Sequence, residues 1–341
     1  MSNRGIAHDQ VAVQCAPLLA RLDEAGVYEV CVNSPGVIWV ESSSGWSQHT
    51  VTELTYARLI AIANVVASWS AQRIGPDKPM LSATLPQGQR IQVVVPPAVP
   101  EATVSVTIRK PSTARLSMAD LSKGGLFAET RDAAAGMVAS EDNGRLSELL
   151  AKGYVESFLS GCVRARKNIV ISGATGSGKT TLSKALIEII PLHERIITIE
   201  DTLELVVPQP NHVRLLYSKG CQGTSQVTAK QLLESALRMR PDRILVQELR
   251  DGAAWDYLRN VNSGHPGSIT TVHANSCALA MEQLTLLVKE SEAGRQLDRA
   301  DIAGLLATLV DVVVQCRRIG GAFRVTEISF GRAYEAAPNS Q

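Results

Sequence analysis

Gly173-Ala174-Thr175-Gly176-Ser177-Gly178-Lys179-Thr180 fits G-x-x-x-x-G-K-[ST] at every fixed position, between an apolar run at 168–171 and a helical pattern at 178–190. No other feature of the chain restricts its fold as much. The glycines let the backbone curl until several N–H groups face one concavity, and the start of the next helix adds partial positive charge there. Such a loop needs a strand before it and a helix after it. Lys179 is spaced to reach β- and γ-phosphates, and the Thr180 hydroxyl to ligate Mg²⁺. Residues Gly173 to Thr181 are therefore the candidate nucleotide-binding segment, with ATP and Mg²⁺ as the implied ligands.

The surrounding pattern agrees with that demand. Short apolar runs at 195–200, 243–247 and 268–272 alternate with helical patterns at 146–164, 178–190, 228–240 and 252–262. Continuous apolar strands between helices mean a mostly parallel sheet covered on both faces. The first part reads differently. Strand-like runs at 27–32, 37–41, 80–85, 90–95 and 103–109 surround one helical pattern at 52–70, and Asn33-Ser34-Pro35-Gly36 reads as a hairpin turn. The expectation is an α/β protein of two parts: a small α+β domain over 1–127, a linker over 128–145 and the sheet domain over 146–341.

At 341 residues the chain is long enough for about two domains. Its 34 basic and 33 acidic residues leave a net charge of +1, which gives no strong nucleic-acid signal. No apolar run approaches the roughly 18 residues of a membrane span, and the polar start lacks a signal-peptide core. The expected location is cytoplasmic. The six cysteines include no C-x-x-C pair, so they read as packing residues.

Carboxylates at strand ends in such a sheet point into the ligand crevice. Two segments bring a carboxylate to a strand end and a third brings a histidine. Ile199-Glu200-Asp201 closes one strand, with Glu204 beyond it. Arg243-Ile244-Leu245-Val246-Gln247-Glu248 carries Glu248 out at the end of another, which makes it the candidate to orient and deprotonate water. The Asp251-Gly252 pair reads as a helix N-cap, so Asp251 is structural. Gln247 lies either in the sheet interior or under a nucleotide. His273 closes a glycine-rich approach at 263–272, while His265 reads as an ordinary loop histidine.

These segments, with Arg238-Met239-Arg240-Pro241-Asp242-Arg243 and Ser263-Gly264-His265-Pro266-Gly267-Ser268, resemble the secretion ATPase superfamily, closest to the traffic ATPases of type IV secretion and conjugation. Val32-Asn33-Ser34-Pro35-Gly36 and Ile108-Arg109-Lys110-Pro111 carry a looser likeness in the first part. The four-cysteine zinc insertion of some members is missing, which favours the shorter type IV branch. The resemblance implies a RecA-like P-loop NTPase domain, a homohexameric ring and nucleotide held between the two domains. It also implies partners among the other ATPases and inner-membrane components of a secretion machine, with peripheral membrane association through them. In the family's terms Lys179 and Thr180 hold phosphate and Mg²⁺. Glu200 and Asp201 form the acidic box and, with Thr180, a candidate metal set. Glu248 is the catalytic carboxylate and His273 the γ-phosphate sensor. The family's N-terminal-domain arginine corresponds to Arg109 first and Arg131 second, whereas Arg240 reads as a helix-end residue. A nucleic-acid motor on a similar fold is the alternative function; a P-loop kinase and a non-hydrolytic switch fit less well, for want of a lid and because of Glu248.

Overall fold

The structure is a computed structural model and describes residues 3–111, 117–130, 141–218 and 223–331. It opens with helix α1 (Asn3–Leu22), which the sequence reading did not anticipate, because Pro17 and a polar start hide its stripe. Val11, Cys15, Leu18 and Leu22 recur at helical spacing and are all buried. Strands β1 (Val27–Val32), β2 (Val37–Ser42) and β3 (Gly45–Thr50) precede α2 (Tyr56–Trp69). Thr55 caps α2 by accepting the Arg58 N–H at 3.2 Å. Strands β4 (Met80–Thr84), β5 (Arg90–Val94) and β6 (Ser105–Arg109) complete an antiparallel sheet in the order β3-β2-β1-β6-β5-β4. Val30, Val93, Val106 and Ile108 pack with α1 and α2 in one core. The alternate residues Glu29, Gln92 and Thr107 lie on the other face and are buried too.

Helices α3 (Met118–Lys123), α4 (Glu141–Ala151) and α5 (Val155–Arg164) lead into the second part. Two expectations change here. Helix begins at Glu141, inside the expected linker, and the single helix expected over 146–164 breaks at Gly153, whose φ of +77° ends α4. Then follow β7 (Ile169–Gly173), α6 (Lys179–Glu188), β8 (Ile196–Glu200), β9 (His212–Leu216), α7 (Ala229–Ala236), β10 (Arg243–Val246), α8 (Ala253–Asn262), β11 (Ile269–Val272), α9 (Cys277–Glu290), α10 (Arg299–Leu309), β12 (Val312–Ile319) and β13 (Ala322–Phe330). Strands β10-β8-β9 pair in parallel, as do β11-β7-β12, and β13 joins β12 antiparallel. The two groups meet along β10 and β11. There Ser268 Oγ donates to Ile244 O at 2.8 Å, and Leu249 N to Thr271 O at 2.9 Å.

Val94, Ala98 and Val99 of the first part share a core with α7, β8 and β10 of the second. Gln92 donates to Ser235 Oγ at 3.0 Å, and Arg240 grips the Glu41 carboxylate with its Nε at 3.0 Å. Among the described residues no helix is long and apolar enough to cross a membrane.

Candidate active site

The strand order β8-β10-β11-β7 decides which side chains meet. These strands run in one direction, so their C-terminal ends share an edge of the sheet, where the crevice of such folds lies. Asp201 follows β8, Glu248 follows β10, His273 follows β11 and Lys179 follows the loop after β7. The side chains touch in that order. Arg250 Nη1 donates to Asp201 Oδ2 at 2.8 Å and its Nη2 to Glu248 Oε2 at 2.5 Å. His273 Nε2 lies 3.0 Å from Glu248 Oε1, and Lys179 Nζ lies 3.3 Å from His273 Nδ1. The His273–Glu248 contact is ionic in distance without hydrogen-bond alignment, so Glu248 Oε1 is buried with no hydrogen-bond partner.

The loop itself is built as its glycines require. Gly176 and Gly178 sit at φ of +72° and +95°, and a Cβ on Gly178 would come within 2.8 Å of the Phe323 ring. A Cβ on Gly173 would strike Ser177 and approach Cys316 O to 2.6 Å. The backbone of this loop can thus be approached from one side and is packed on the other. Lys179 is buried and donates to Gly173 O at 2.8 Å and Ala174 O at 3.0 Å. Burial lowers its pKa from the ordinary lysine value, against the pull of Glu248. The Ser177 hydroxyl is buried without a partner, a polar group that a phosphate oxygen would satisfy.

Asn275, Gln315, Arg317 and Arg318 wall the loop's cleft of about 430 Å³. The sequence reading missed these residues. The adjacent basic pair before Gly320-Gly321 was the available signal, but only the parallel pairing of β12 with β7 brings it beside the loop.

Glu248 combines opposing influences. Burial pushes its carboxyl up; the Arg250 hydrogen bond and the charges of Arg250, His273 and Lys179 outweigh that and hold it below the usual carboxylate range. A carboxylate that stays ionised, with one oxygen anchored by Arg250 and the other facing His273 without a hydrogen bond, can take a proton from water.

Other anticipated residues stand elsewhere. Glu200 is fully buried, and its oxygens accept from Thr198 Oγ1, the Glu204 and Leu205 N–H groups, and Arg214 Nε and Nη2 at 2.7–3.1 Å. With its lone pairs spent on the turn that follows β8, it is a structural residue rather than an open ligand. Asp201 is engaged by Arg250. Gln247 is not in the sheet interior: its Nε2 reaches Glu204 at 2.9 Å. Asp251 does not cap α8, since Gly252 holds that position and Asp251 adopts φ of +56°.

Arg240 lies beyond the end of α7 at φ of +55° and ties Glu41 to Asp242, so it is neither a helix-end residue nor near the phosphate loop. Arg109 lines a cleft with Glu29, Arg90, Arg240 and His265. Arg240 and His265 precede β10 and β11, so this cleft opens at the opposite end of the parallel strands from Lys179. The residues walling the phosphate-loop cleft all come from the second part. Arg131 lies outside the described residues.

Two buried arginines were also missed as structural elements. Arg195 donates to Met239 O at 2.9 Å and to Asn33 Oδ1 at 2.8 Å, across the two parts. Arg243 is bidentate to Glu194 at 2.7 and 3.0 Å and donates to Val163 O. In the sequence Arg243 closes an arginine-rich stretch and Arg195 follows a polar turn, and nothing at either place separates a buried arginine from a solvated one.

The family model for "Type II/IV secretion system protein" matches residues 13–336. The type IV secretion system protein VirB11 of Bartonella quintana is 52% identical over 340 residues, covering 97% of this chain and 95% of that protein. The Brucella suis VirB11 is 44% identical over 327 residues, covering 92% and 90% respectively. Among solved structures, the VirB11 ATPase from the Brucella suis type IV secretion system, in complex with sulphate, superposes with a TM-score of 0.88. It is 42% identical, and the match covers 94% of this chain and 97% of that one. With strand ends, phosphate loop and near full-length likeness in agreement, the chain belongs to the type II/IV secretion system protein family, among the VirB11 ATPases of type IV secretion.

Proposed function

We propose that this chain is a RecA-like P-loop motor that assembles into a homohexamer and hydrolyses ATP. Its turnover powers assembly of the type IV secretion machine or conjugative pilus and movement of substrate, at the cytoplasmic face of the inner membrane. It docks there through the machine's other ATPases and inner-membrane components. The observation that carries the hydrolytic reading is the buried Oε1 of Glu248, which takes no hydrogen bond and lies 3.0 Å from His273 Nε2 at the strand end beside Lys179.

The roles follow from position. The amides of 173–181 and the Lys179 ammonium grip the β- and γ-phosphates, and Ser177 adds a hydroxyl. His273, one contact from both Lys179 and Glu248, relays the presence of a γ-phosphate between them. Glu248 Oε1 takes the proton of the attacking water, and the pull of Lys179 stabilises charge on the transferred phosphoryl.

Mg²⁺, when bound with ATP, neutralises phosphate charge. Thr180 on the first turn of α6 is the side chain that would hold it. Among the described residues no cluster of three acidic, His or Cys groups stands ready for an ion. Glu200 leaves the candidate metal set because both of its oxygens are engaged, while Asp201 gives Oδ2 to Arg250 and keeps Oδ1 open.

Two substitutions test the reading. Lys179→Ala is expected to lose ATP binding and hydrolysis. Glu248→Gln is expected to bind Mg-ATP as tightly as the parent while turnover falls by about 10²-fold or more. Normal phosphate release from Glu248→Gln would remove Glu248 from its role. Gel filtration with Mg-ATP is expected to show six copies per particle.

A further inference from the structure

We propose that Arg250 is the positioning residue of the hydrolytic carboxylate, with Asp201 as its anchor. This rests on the reading of Glu248 as the group that activates water. The geometry begins with register. Strands β8 and β10 run parallel with Ile199 beside Val246, and Gln247 N donates to Ile199 O at 3.0 Å. The residues just past their ends, Asp201 and Glu248, therefore stand on neighbouring stems with a gap between them.

Arg250 fills that gap. Its guanidinium forks, one nitrogen to each carboxylate, at 2.8 and 2.5 Å. The backbone beside it is pinned, because Leu249 is buried and donates its N–H to Thr271 O at 2.9 Å. A planar fork on a fixed stem sets the orientation of the Glu248 carboxyl: Oε2 is bound and Oε1 turns to the Lys179–His273 side.

The groups facing Glu248 are Arg250 from the same loop, His273 from the end of β11 and Lys179 from the phosphate loop. Asp201 and Tyr217 face Arg250, and burial first, then Asp201, pushes the Tyr217 hydroxyl up to about 12. Removing Arg250 would leave burial of Glu248 opposed only by His273 and Lys179. Its carboxyl would rise toward protonation and its orientation would be free. A lysine at 250 would restore charge but not the fork, since one ammonium cannot hold two carboxylates in a fixed plane. Asp201 acts on the reaction only through Arg250, which gives this acidic-box residue a task other than metal binding.

The test is steady-state ATP hydrolysis against pH, with Mg-ATP affinity measured separately by calorimetry on the full chain. Arg250→Gln is expected to lower kcat by about 10²-fold and to move the acid limb of the kcat profile to higher pH, with Kd for Mg-ATP within about threefold of the parent. Arg250→Lys is expected to leave the acid limb in place while kcat recovers only in part. Asp201→Asn is expected to give a smaller loss than Arg250→Gln, and the double variant no more than Arg250→Gln alone.

The inference is overturned if Arg250→Gln turns over normally with an unmoved acid limb while Glu248→Gln is inactive. It is also overturned if both Arg250 variants, folded by circular dichroism, lose Mg-ATP binding in parallel with kcat. Turnover by Glu248→Gln would instead bring down the reading on which the inference stands. Should Arg250→Gln fail to fold, Arg250→Lys carries the test, and full activity in that variant overturns the proposal.

Discussion

Glu29 has a buried carboxyl on the sheet face turned toward the second part of the chain. Burial, then the neighbouring Glu41, raise it from 4.5 to about 7, against Arg109, Arg195 and Arg240. A carboxyl whose folded pKa exceeds its unfolded one contributes stability that is complete below about 4.5 and is lost as pH climbs to about 7. Glu29→Gln is therefore expected to stabilise the protein at pH 8 by up to about 3 kcal/mol, and to change little near pH 4.5. Urea unfolding at the two pH values checks this; equal effects at both would contradict it. None of this was legible in the sequence, where Glu29 is one acid in a β-branched run. Glu248 was legible, because a buried strand with three successive apolar residues, Ile244 to Val246, delivers it at its end. What the sequence left out was its partner: Arg250, two positions on, becomes one only when the chain turns back after β10.

Elements were legible in proportion to how far local pattern controls them. Strands β7, β8, β10 and β11 are short apolar runs buried along their length, and the sequence marked all of them. Helix α1 escaped because Pro17 reads as a breaker and tertiary burial of its stripe outweighs that cost. The β12–β13 hairpin escaped because its pairing with β7 is long-range. The sheet's approach to α5 depends on Arg243 and Glu194, both buried and bidentate, with Arg243 also donating to Val163 O at 2.9 Å. Breaking such a pair strands an ion in the interior. Glu194→Ala is expected to lose about 3–5 kcal/mol of stability, read as a lower denaturation midpoint, whereas a substitution at exposed Glu188 on α6 is expected to fall within about 0.5 kcal/mol.

At the scale of the molecule, the first part packs against α7 and along β9, where Leu216 N donates to Ala98 O at 2.9 Å. It is held there by Arg240 to Glu41 and by Arg195 to Asn33. Arg240→Glu and Glu41→Arg are each expected to cost roughly 1–3 kcal/mol and to speed proteolysis between the parts, with the double exchange recovering most of the loss. Scattering profiles of the singles that match the parent would show the clamp to be dispensable. The chain's order alone determined that a curled amide loop would follow a strand, that acids would close other strands, and that two differently patterned parts would exist. Those are properties of neighbours in sequence, and steric and burial preferences act on neighbours directly. Which strand lies beside which was decided only in three dimensions. That order made Asp201, Arg250, Glu248, His273 and Lys179 a line of contacts, spent Glu200 on a turn, and carried Arg109 to the far end of the sheet. The reason is that pairing between distant segments is settled by the packing of the whole core, which no window of the sequence contains.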